Sequence, residues 1–139
     1  MALLGALDVY IKATHGLPFL LGSFGTLVIL LFAAPDAPVV KRWNVVVGHC
    51  LAAFIAVAVA SVGGYSVASR AVAYGIAITG MLLTGAVHPP GGALVVIFME
   101  NARCQALGWM YVVYPGLAGA LLLYACSRLC VYLRNNVVF

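Results

Sequence analysis

Four long stretches of this chain contain no charged residue, and they restrict its fold more than any other feature. They run over residues 13–35, 43–69, 71–99 and 104–127. A helix needs about 20 predominantly apolar residues to cross a bilayer, and each stretch is long enough. The charged residues fall between the stretches. The pattern therefore predicts an all-α, polytopic membrane protein with about four transmembrane helices.

The composition agrees with a membrane protein. Of the 139 residues, 65% are hydrophobic and 7% are charged, whereas a soluble domain has about 25% charged residues. The net charge of +4 suits membrane flanks and an anionic substrate alike, and no Lys/Arg cluster indicates nucleic acid. A signal peptide would explain only the first stretch, which lacks a typical cleavage site and follows Asp8 and Lys12. We interpret residues 1–139 as one transmembrane domain.

The stretch 71–99 predicts a broken helix. As one straight helix it would be about 44 Å long, against a hydrocarbon core of about 30 Å. We expect a helix over 71–87 with a break at His88–Gly92, and a similar break at Gly22–Thr26 before an apolar helix at 27–32. Irregular backbone at membrane depth must be buried in protein or line a water-filled cavity, so both breaks are candidate sites. The other expected helices cover 43–62 and, with a kink at Pro115, 107–133.

An internal repeat relates the two halves of the chain. A shift of 66 positions aligns seven identical residues, including both tryptophans: Gly25/Gly91, Phe32/Phe98, Trp43/Trp109, Val46/Val112, Val47/Val113, Leu51/Leu117 and Ala52/Ala118. Apolar sequence produces some matches by chance, but this order predicts a two-fold repeat of residues 1–66 and 67–133. Transporters are often built so, with substrate where broken helices of the two halves meet. Loop charges leave open whether the halves are parallel or inverted.

The sequence His88-Pro89-Pro90-Gly91-Gly92 gives the strongest signal for a binding site. Prolines suit a helix start, and glycines let backbone N–H groups approach a ligand. A helix beginning there would direct free N–H groups and its positive dipole end toward an anion. The segment from Ser23 to Thr26 offers the same arrangement in the first half. The predicted anion contacts are the backbone at Gly25, Thr26, Gly91 and Gly92 and the side chains of Ser23, His49 and His88.

Two of these candidates, His49 and His88, are ionisable residues in apolar stretches. Such residues are costly inside a membrane and tend to be functional, although a neutral histidine bonded to a backbone carbonyl is the ordinary structural explanation. Histidine titrates near neutral pH, so a histidine at the site would couple proton movement to anion movement. That hypothesis rests only on the placement of the histidines.

Patterns typical of enzymes and metal sites are missing from the sequence. The three acidic residues are not paired, no nucleophile stands beside a base, and no metal-ligand spacing occurs. The cysteines at positions 50, 104, 126 and 130 are interpreted as small packing residues. We expect no enzymatic activity, no metal and no cofactor.

Several ordered motifs resemble the HPP family of integral membrane proteins, whose name comes from the His-Pro-Pro motif seen at 88–90. The resemblance covers about residues 20–134, and its motifs are Gly22-Ser23-Phe24-Gly25-Thr26, Ala34-Pro35-Asp36-Ala37-Pro38, Arg42-Trp43-Asn44-Val45, Gly48-His49, His88 to Ala93 and Gly108-Trp109. Two departures are an Asp36-Ala37-Pro38 turn in place of a Ser-Pro form, and a segment before Gly22 that is short for a full helix. That short segment predicts an N-terminal element that is truncated or interfacial.

The resemblance implies a four-span membrane protein similar to nitrite transporters of plastid envelopes and cyanobacteria. The implied substrate is a small monovalent anion, nitrite first and then nitrate or formate-like ions. The expected location is a bacterial inner membrane or a plastid envelope, as a multi-pass protein in the lipid bilayer. Because the chain is too short to enclose a pathway alone, we expect a homo-oligomer, a dimer first. The alternative is a non-transporting scaffold or assembly subunit.

Overall fold

The computed structural model describes residues 2–16 and 22–136, and all regular secondary structure within them is helical. Its α-helices are α1 (Ala2–His15), α2 (Ser23–Ala33), α3 (Arg42–Gly63), α4 (Val67–Leu83), α5 (Pro89–Glu100), α6 (Ala102–Gln105) and α7 (Ala118–Asn136). A 3-10 turn, Pro38–Val40, precedes α3, and irregular helical turns over Gly108–Val112 and Val113–Leu117 lead into α7. The predicted all-α fold is confirmed.

Two helical segments in the described part are long and apolar enough to cross a membrane, Arg42–Gly63 and Gly108–Leu133. They correspond to the helices predicted over 43–62 and 107–133. The other apolar helices, α2, α4 and α5, have 11, 17 and 12 residues, fewer than the roughly 20 of a typical crossing. About four crossings therefore stays a prediction.

The helices α4 and α5 form a hairpin, not one interrupted rod. Arg70, in the first turn of α4, forms an ion pair with Glu100 at the end of α5, so the two helices run in opposite directions. The start of α4 lies beside the end of α3, where the Ser69 hydroxyl donates to the Gly63 carbonyl at 2.7 Å. The connection between α4 and α5 consequently lies at the other end of the hairpin, beside the first turns of α3.

The predicted positions of α4 and of the second break are corrected by about one turn. The helix expected over 71–87 begins and ends four residues earlier. Its start follows Ser66, whose hydroxyl accepts a hydrogen bond from a backbone N–H of the first turn. Its end precedes Gly85, which has a φ of 64°, a left-handed conformation that glycine adopts without steric cost. The break is at residues 84–88 and not at His88–Gly92, because two prolines already begin α5 there.

The first predicted break, Gly22–Thr26, is likewise a helix start. Helix α2 begins at Ser23, and Gly22 is its N-cap. A glycine inside a helix costs about 1 kcal/mol relative to alanine, which tertiary packing overrides. That packing includes the Phe24 ring, which lies against Gly119 of α7 so closely that an added Cβ would come within 2.1 Å of it. The segment immediately before Gly22, residues 17–21, lies outside the described residues.

The kink predicted at Pro115 is confirmed. Tyr114 has φ −128° and ψ 133°, which agrees with the steric bias of a residue before proline toward extended backbone. Just before the kink, the Tyr111 hydroxyl donates to the Leu94 carbonyl at 3.0 Å. The Tyr111 side chain is fully buried, so this bond fixes the turns before α7 against the middle of α5.

The element boundaries follow the 66-residue offset of the two halves. Helix α2 begins at Ser23 and α5 at Pro89, while α3 begins at Arg42 and the turns before α7 begin at Gly108. By the same offset, α1 in the first half of the sequence corresponds to α4 in the second half. The duplication itself, and whether its halves are parallel or inverted, remains a prediction.

Candidate functional site

Two side chains from the first turn of α3 cover the break between α4 and α5. Asn44 Nδ2 donates to the carbonyls of Gly85 at 3.2 Å and Val87 at 2.9 Å. The neighbouring Trp43 Nε1 donates to the Thr84 carbonyl at 3.1 Å. Backbone carbonyls at a helix break have lost their helical partners, and lipid offers none. The start of α3 supplies the missing donors and so fixes the shape of the break.

The helices α3 and α5 meet backbone to backbone at two glycines. A Cβ added at Gly91 would lie 2.8 Å from the Gly48 carbonyl oxygen, and one added at Gly48 would lie 2.6 Å from the Cβ of His88. Neither position has room for a side chain. The contact between α3 and α5 therefore explains why Gly91 is a glycine, while contact of its N–H with a ligand stays a prediction.

The close approach of α3 and α5 brings the two apolar-stretch histidines together. The rings of His49, from α3, and His88, the N-cap of α5, are 4.7 Å apart between centroids and tilted by 45°. Both side chains are 0% exposed. His49 Nδ1 lies 2.9 Å from the Val45 carbonyl, and His88 Nδ1 lies 2.6 Å from the Val39 carbonyl. The Nε2 atom of each ring is buried without a hydrogen-bond partner.

A partly open cleft of about 230 Å³ reaches His88 from the side of α4. It lies between the second half of α4 and the start of α5, and Gly92 lines it together with Tyr74. Most of its lining is aliphatic: Ile78, Met81, Leu82, Val87 and Pro89 complete it. Of the two histidines, only His88 contributes to the lining of the cleft.

The start of α5 offers fewer backbone amides than a typical helix N-terminus. Its first two residues are prolines, which have no N–H. The Gly92 N–H is already bonded to the His88 carbonyl at 3.2 Å. Gly91 thus carries the first amide of the helix, and the predicted backbone contact with an anion narrows to that residue in the second half.

Three of the predicted contacts belong to the first predicted break, in the first half of the chain. Ser23, Gly25 and Thr26 belong to α2, which packs against α5 and α7. Within the described residues, they make no hydrogen bond or ring contact with His49 or His88. Ser23 is 1% exposed and its hydroxyl is buried without a partner, whereas Thr26 is exposed and Gly25 half-buried.

Sequence reasoning noted Asn44 near a helix end but not its partners across the break, and it missed the role of Gly48. Asn44 was a polar residue in an apolar stretch, and its position next to Trp43 at a helix start was the available signal. Gly48 precedes a histidine, and nothing in the pattern shows that it faces His88.

The exposed cations Lys41 and Arg42 stand at the same end of α3 as Asn44 and make this end of the protein electropositive.

No group of three or more His, Cys, Asp or Glu side chains that could hold a metal ion occurs among the described residues. The four cysteines are free thiols, and Cys104 is buried beside the end of α5. Its burial raises the pKa of the Cys104 thiol, which makes that thiol a poor nucleophile at neutral pH.

The family model and the relatives that match this chain are all described as transmembrane proteins. Residues 1–137 match the family model described as HPP, transmembrane region. A transmembrane protein of Dictyostelium discoideum is 36% identical over 107 residues, which is 74% of this chain and 34% of that protein. A second Dictyostelium discoideum transmembrane protein is 29% identical over 108 residues, 75% of this chain and 38% of its own length. The chain thus spans little more than a third of these relatives. No solved structure matches it.

Proposed function

The chain belongs to the HPP family of transmembrane proteins, and from this premise we propose that it is a multi-pass transporter or channel for a small monovalent anion, nitrite first and nitrate next. The observation that carries the proposal is the fully buried pair His49 and His88 at the start of α5. Ionisable groups inside a membrane protein are expensive and mark ion or substrate pathways. A buried ring nitrogen without a hydrogen-bond partner, as Nε2 is in both rings, calls for an explanation, and a bound ligand would supply one.

The electrostatics around the pair favour an anion. The positive end of the α5 dipole and the Gly91 amide point toward the break. Lys41 and Arg42 are exposed at the neighbouring end of α3, where they would attract anions to the membrane surface. The cleft of about 230 Å³ has room for a small ion, and because its lining is mostly aliphatic, such an ion would depend on the polar groups at the start of α5 to replace its water.

The first test is uptake into proteoliposomes, with nitrite, nitrate, formate and chloride offered separately. We expect nitrite uptake above that of protein-free vesicles. His88→Ala should reduce uptake to that background because the only buried side-chain nitrogen at the cleft is lost. Gly5→Ala, in α1, is the control, since a Cβ there meets no atom within 4 Å, and it should keep wild-type uptake. Folded His88→Ala protein with unchanged uptake over about pH 5–8, the range in which histidine titrates, would refute the role of His88.

A non-transporting scaffold or assembly subunit remains the second candidate. A shallow apolar groove follows the exposed side of α4 between small residues such as Gly75 and Thr79 and the α3 residue Ile55. Small residues allow close helix contacts in lipid. The absence of flux for every anion in the panel would favour this function.

We also propose that the protein acts as a homo-oligomer, a dimer first, and without enzymatic activity or a cofactor. Two segments of spanning length in the described part are few for enclosing a pathway. Native mass spectrometry from detergent would show a dimer peak, and a monomer that transports would contradict the oligomer.

A further inference from the structure

Both buried histidines present the same kind of atom to the site. A backbone carbonyl only accepts hydrogen bonds, so the contacts of His49 with Val45 and of His88 with Val39 require the hydrogen to be on Nδ1. In a neutral imidazole the other nitrogen then has a lone pair and no hydrogen. The hydrogen-bond network therefore assigns one tautomer to both rings, with Nε2 as a bare acceptor in each.

Two bare acceptors are a poor binding site for an anion alone. Neither Nε2 has a donor among the described residues, and the rings stand only 4.7 Å apart. An anion in contact with them would place negative charge against two lone pairs, and buried groups without a partner of the right kind cost free energy. The missing component is a hydrogen-bond donor.

A proton alone is equally disfavoured. The chain has three acidic residues, and none of them faces the pair. Asp8 forms an ion pair with Lys12 within α1. Glu100 forms an ion pair with Arg70, at the end of the α4–α5 hairpin that is far from the histidines. The third, Asp36, is exposed in the turn after α2. A protonated ring would thus be a buried cation without a carboxylate, which is costly.

The other titratable and charged groups near the pair do not supply the missing negative charge either. Tyr74 of α4 lines the cleft beside Gly92, and Cys50 follows His49 on α3 and is half-buried. From the turn before α3, the exposed Lys41 adds only positive charge at a distance. The start of α5 carries no titratable side chain other than His88. No neighbour supplies a negative charge at neutral pH.

We infer that the pair of His49 and His88 takes up one proton together with each anion, so that anion movement is electroneutral. The inference rests on the proposed function and names its coupling ion. On entry, a proton from the aqueous side adds to the lone pair of one Nε2, and the new N–H donates to the anion. The second Nε2 remains an acceptor. On exit the N–H bond breaks, and proton and anion leave together, which returns both rings to the neutral form.

Transition metals also bind Nε2 of histidines whose Nδ1 donates to a carbonyl. The described residues offer no third ligand of the usual types near the pair, which is why a proton is the favoured occupant. A metal is therefore an outcome to be excluded in the test.

The experiment measures anion and proton separately in proteoliposomes of wild-type protein, with nitrite as the anion, an internal pH dye for protons and protein-free vesicles as background. A membrane potential of about 60 mV changes the accumulation of a lone monovalent anion about tenfold. We expect one proton per nitrite and accumulation that does not respond to that potential. Nitrite flux that follows the potential without proton entry would overturn the inference and leave the transporter intact. No nitrite flux at all would overturn the proposed function.

Two further variants sharpen the result. The double variant His49→Gln/His88→Gln places near each Nε2 position an amide that donates without titrating, so we expect nitrite flux that persists, responds to the membrane potential and carries no proton. His88→Asn places the amide near Nδ1, keeps a donor for the Val39 carbonyl and removes Nε2, so it should fold and lose uptake. A double Gln variant that still carries one proton per nitrite would refute the role of the pair. So would uptake that a metal chelator abolishes.

Discussion

Gly48→Ala is expected to lower the melting temperature of the detergent-solubilised protein by about 10 °C. The new methyl carbon would lie 2.6 Å from the His88 Cβ and 3.0 Å from the Ala86 carbonyl oxygen. Neither atom can rotate away, because both are fixed by the backbone, so α3 and α5 must separate. Overpacking of this kind costs about 1–3 kcal/mol and occasionally more, and about 3 kcal/mol corresponds to about 10 °C in a domain of this size.

Gly91→Ala should have a similar effect from the other side of the same contact, since its Cβ would lie 2.8 Å from the Gly48 carbonyl oxygen. The control is Gly75→Ala, in a helix and exposed, where no atom lies within 4 Å of the new Cβ. It should melt within about 2 °C of the wild type or slightly above it, because alanine favours helix. Differential scanning fluorimetry measures all three. If Gly48→Ala melted like Gly75→Ala, the backbone contact between α3 and α5 would be disproved.

Asn44→Asp is expected to destabilise the protein by about 3 kcal/mol or more. The substitution keeps the shape of the side chain but removes the Nδ2 donor, which leaves the Gly85 and Val87 carbonyls unpaired. Gly85 and Val87 are exposed, but the Asn44 side chain is buried. Most of the cost therefore comes from a buried carboxylate that faces two carbonyl oxygens. We expect hydrogen exchange over residues 84–92 to accelerate at least about tenfold, together with a lower melting temperature.

Trp43→Phe shows how much stability is lost when an exposed hydrogen bond to the same break is removed, for comparison with Asn44→Asp. It removes the bond from Nε1 to the Thr84 carbonyl, but Trp43 is 58% exposed and Thr84 is exposed as well. Water can replace a bond at such a position, so the loss should stay below about 1 kcal/mol. Equal exchange rates in the two variants would mean that burial at the break does not govern its stability.

The sequence was most informative where hydrophobicity and charge change together. Helix α3 was predicted within one residue at each end because the charged residues Lys41 and Arg42 mark its start and the Gly63-Gly64 pair ends it. The α4–α5 hairpin was not predictable in the same way. A tilted, broken crossing and a folded hairpin bury similar apolar residues, and the choice between them depends on Gly85 and on donors that α3 supplies. Periodicity contains no information about such long-range partners.

The candidate site was only partly predictable for a related reason. His49 and His88 stood out as ionisable residues in apolar stretches, and the structure places them in contact. Their carbonyl partners decide which ring nitrogen is bare, and no sequence pattern gives those partners. Ser23, Gly25 and Thr26 were predicted by analogy between the halves, whereas α2 packs on α7 as well as α5. An analogy between repeats does not fix which neighbours a helix acquires.

The bonds from Asn44 to the turn between α4 and α5 also bear on biogenesis. Synthesis proceeds from the N-terminus, so the ribosome delivers the amide of α3 before the carbonyls that require it. In the proposed multi-pass topology, the backbone carbonyls of the turn between α4 and α5 would then meet a donor that is already in the bilayer when the hairpin leaves the translocon. Reversing the order of these segments by circular permutation would expose that backbone to lipid first.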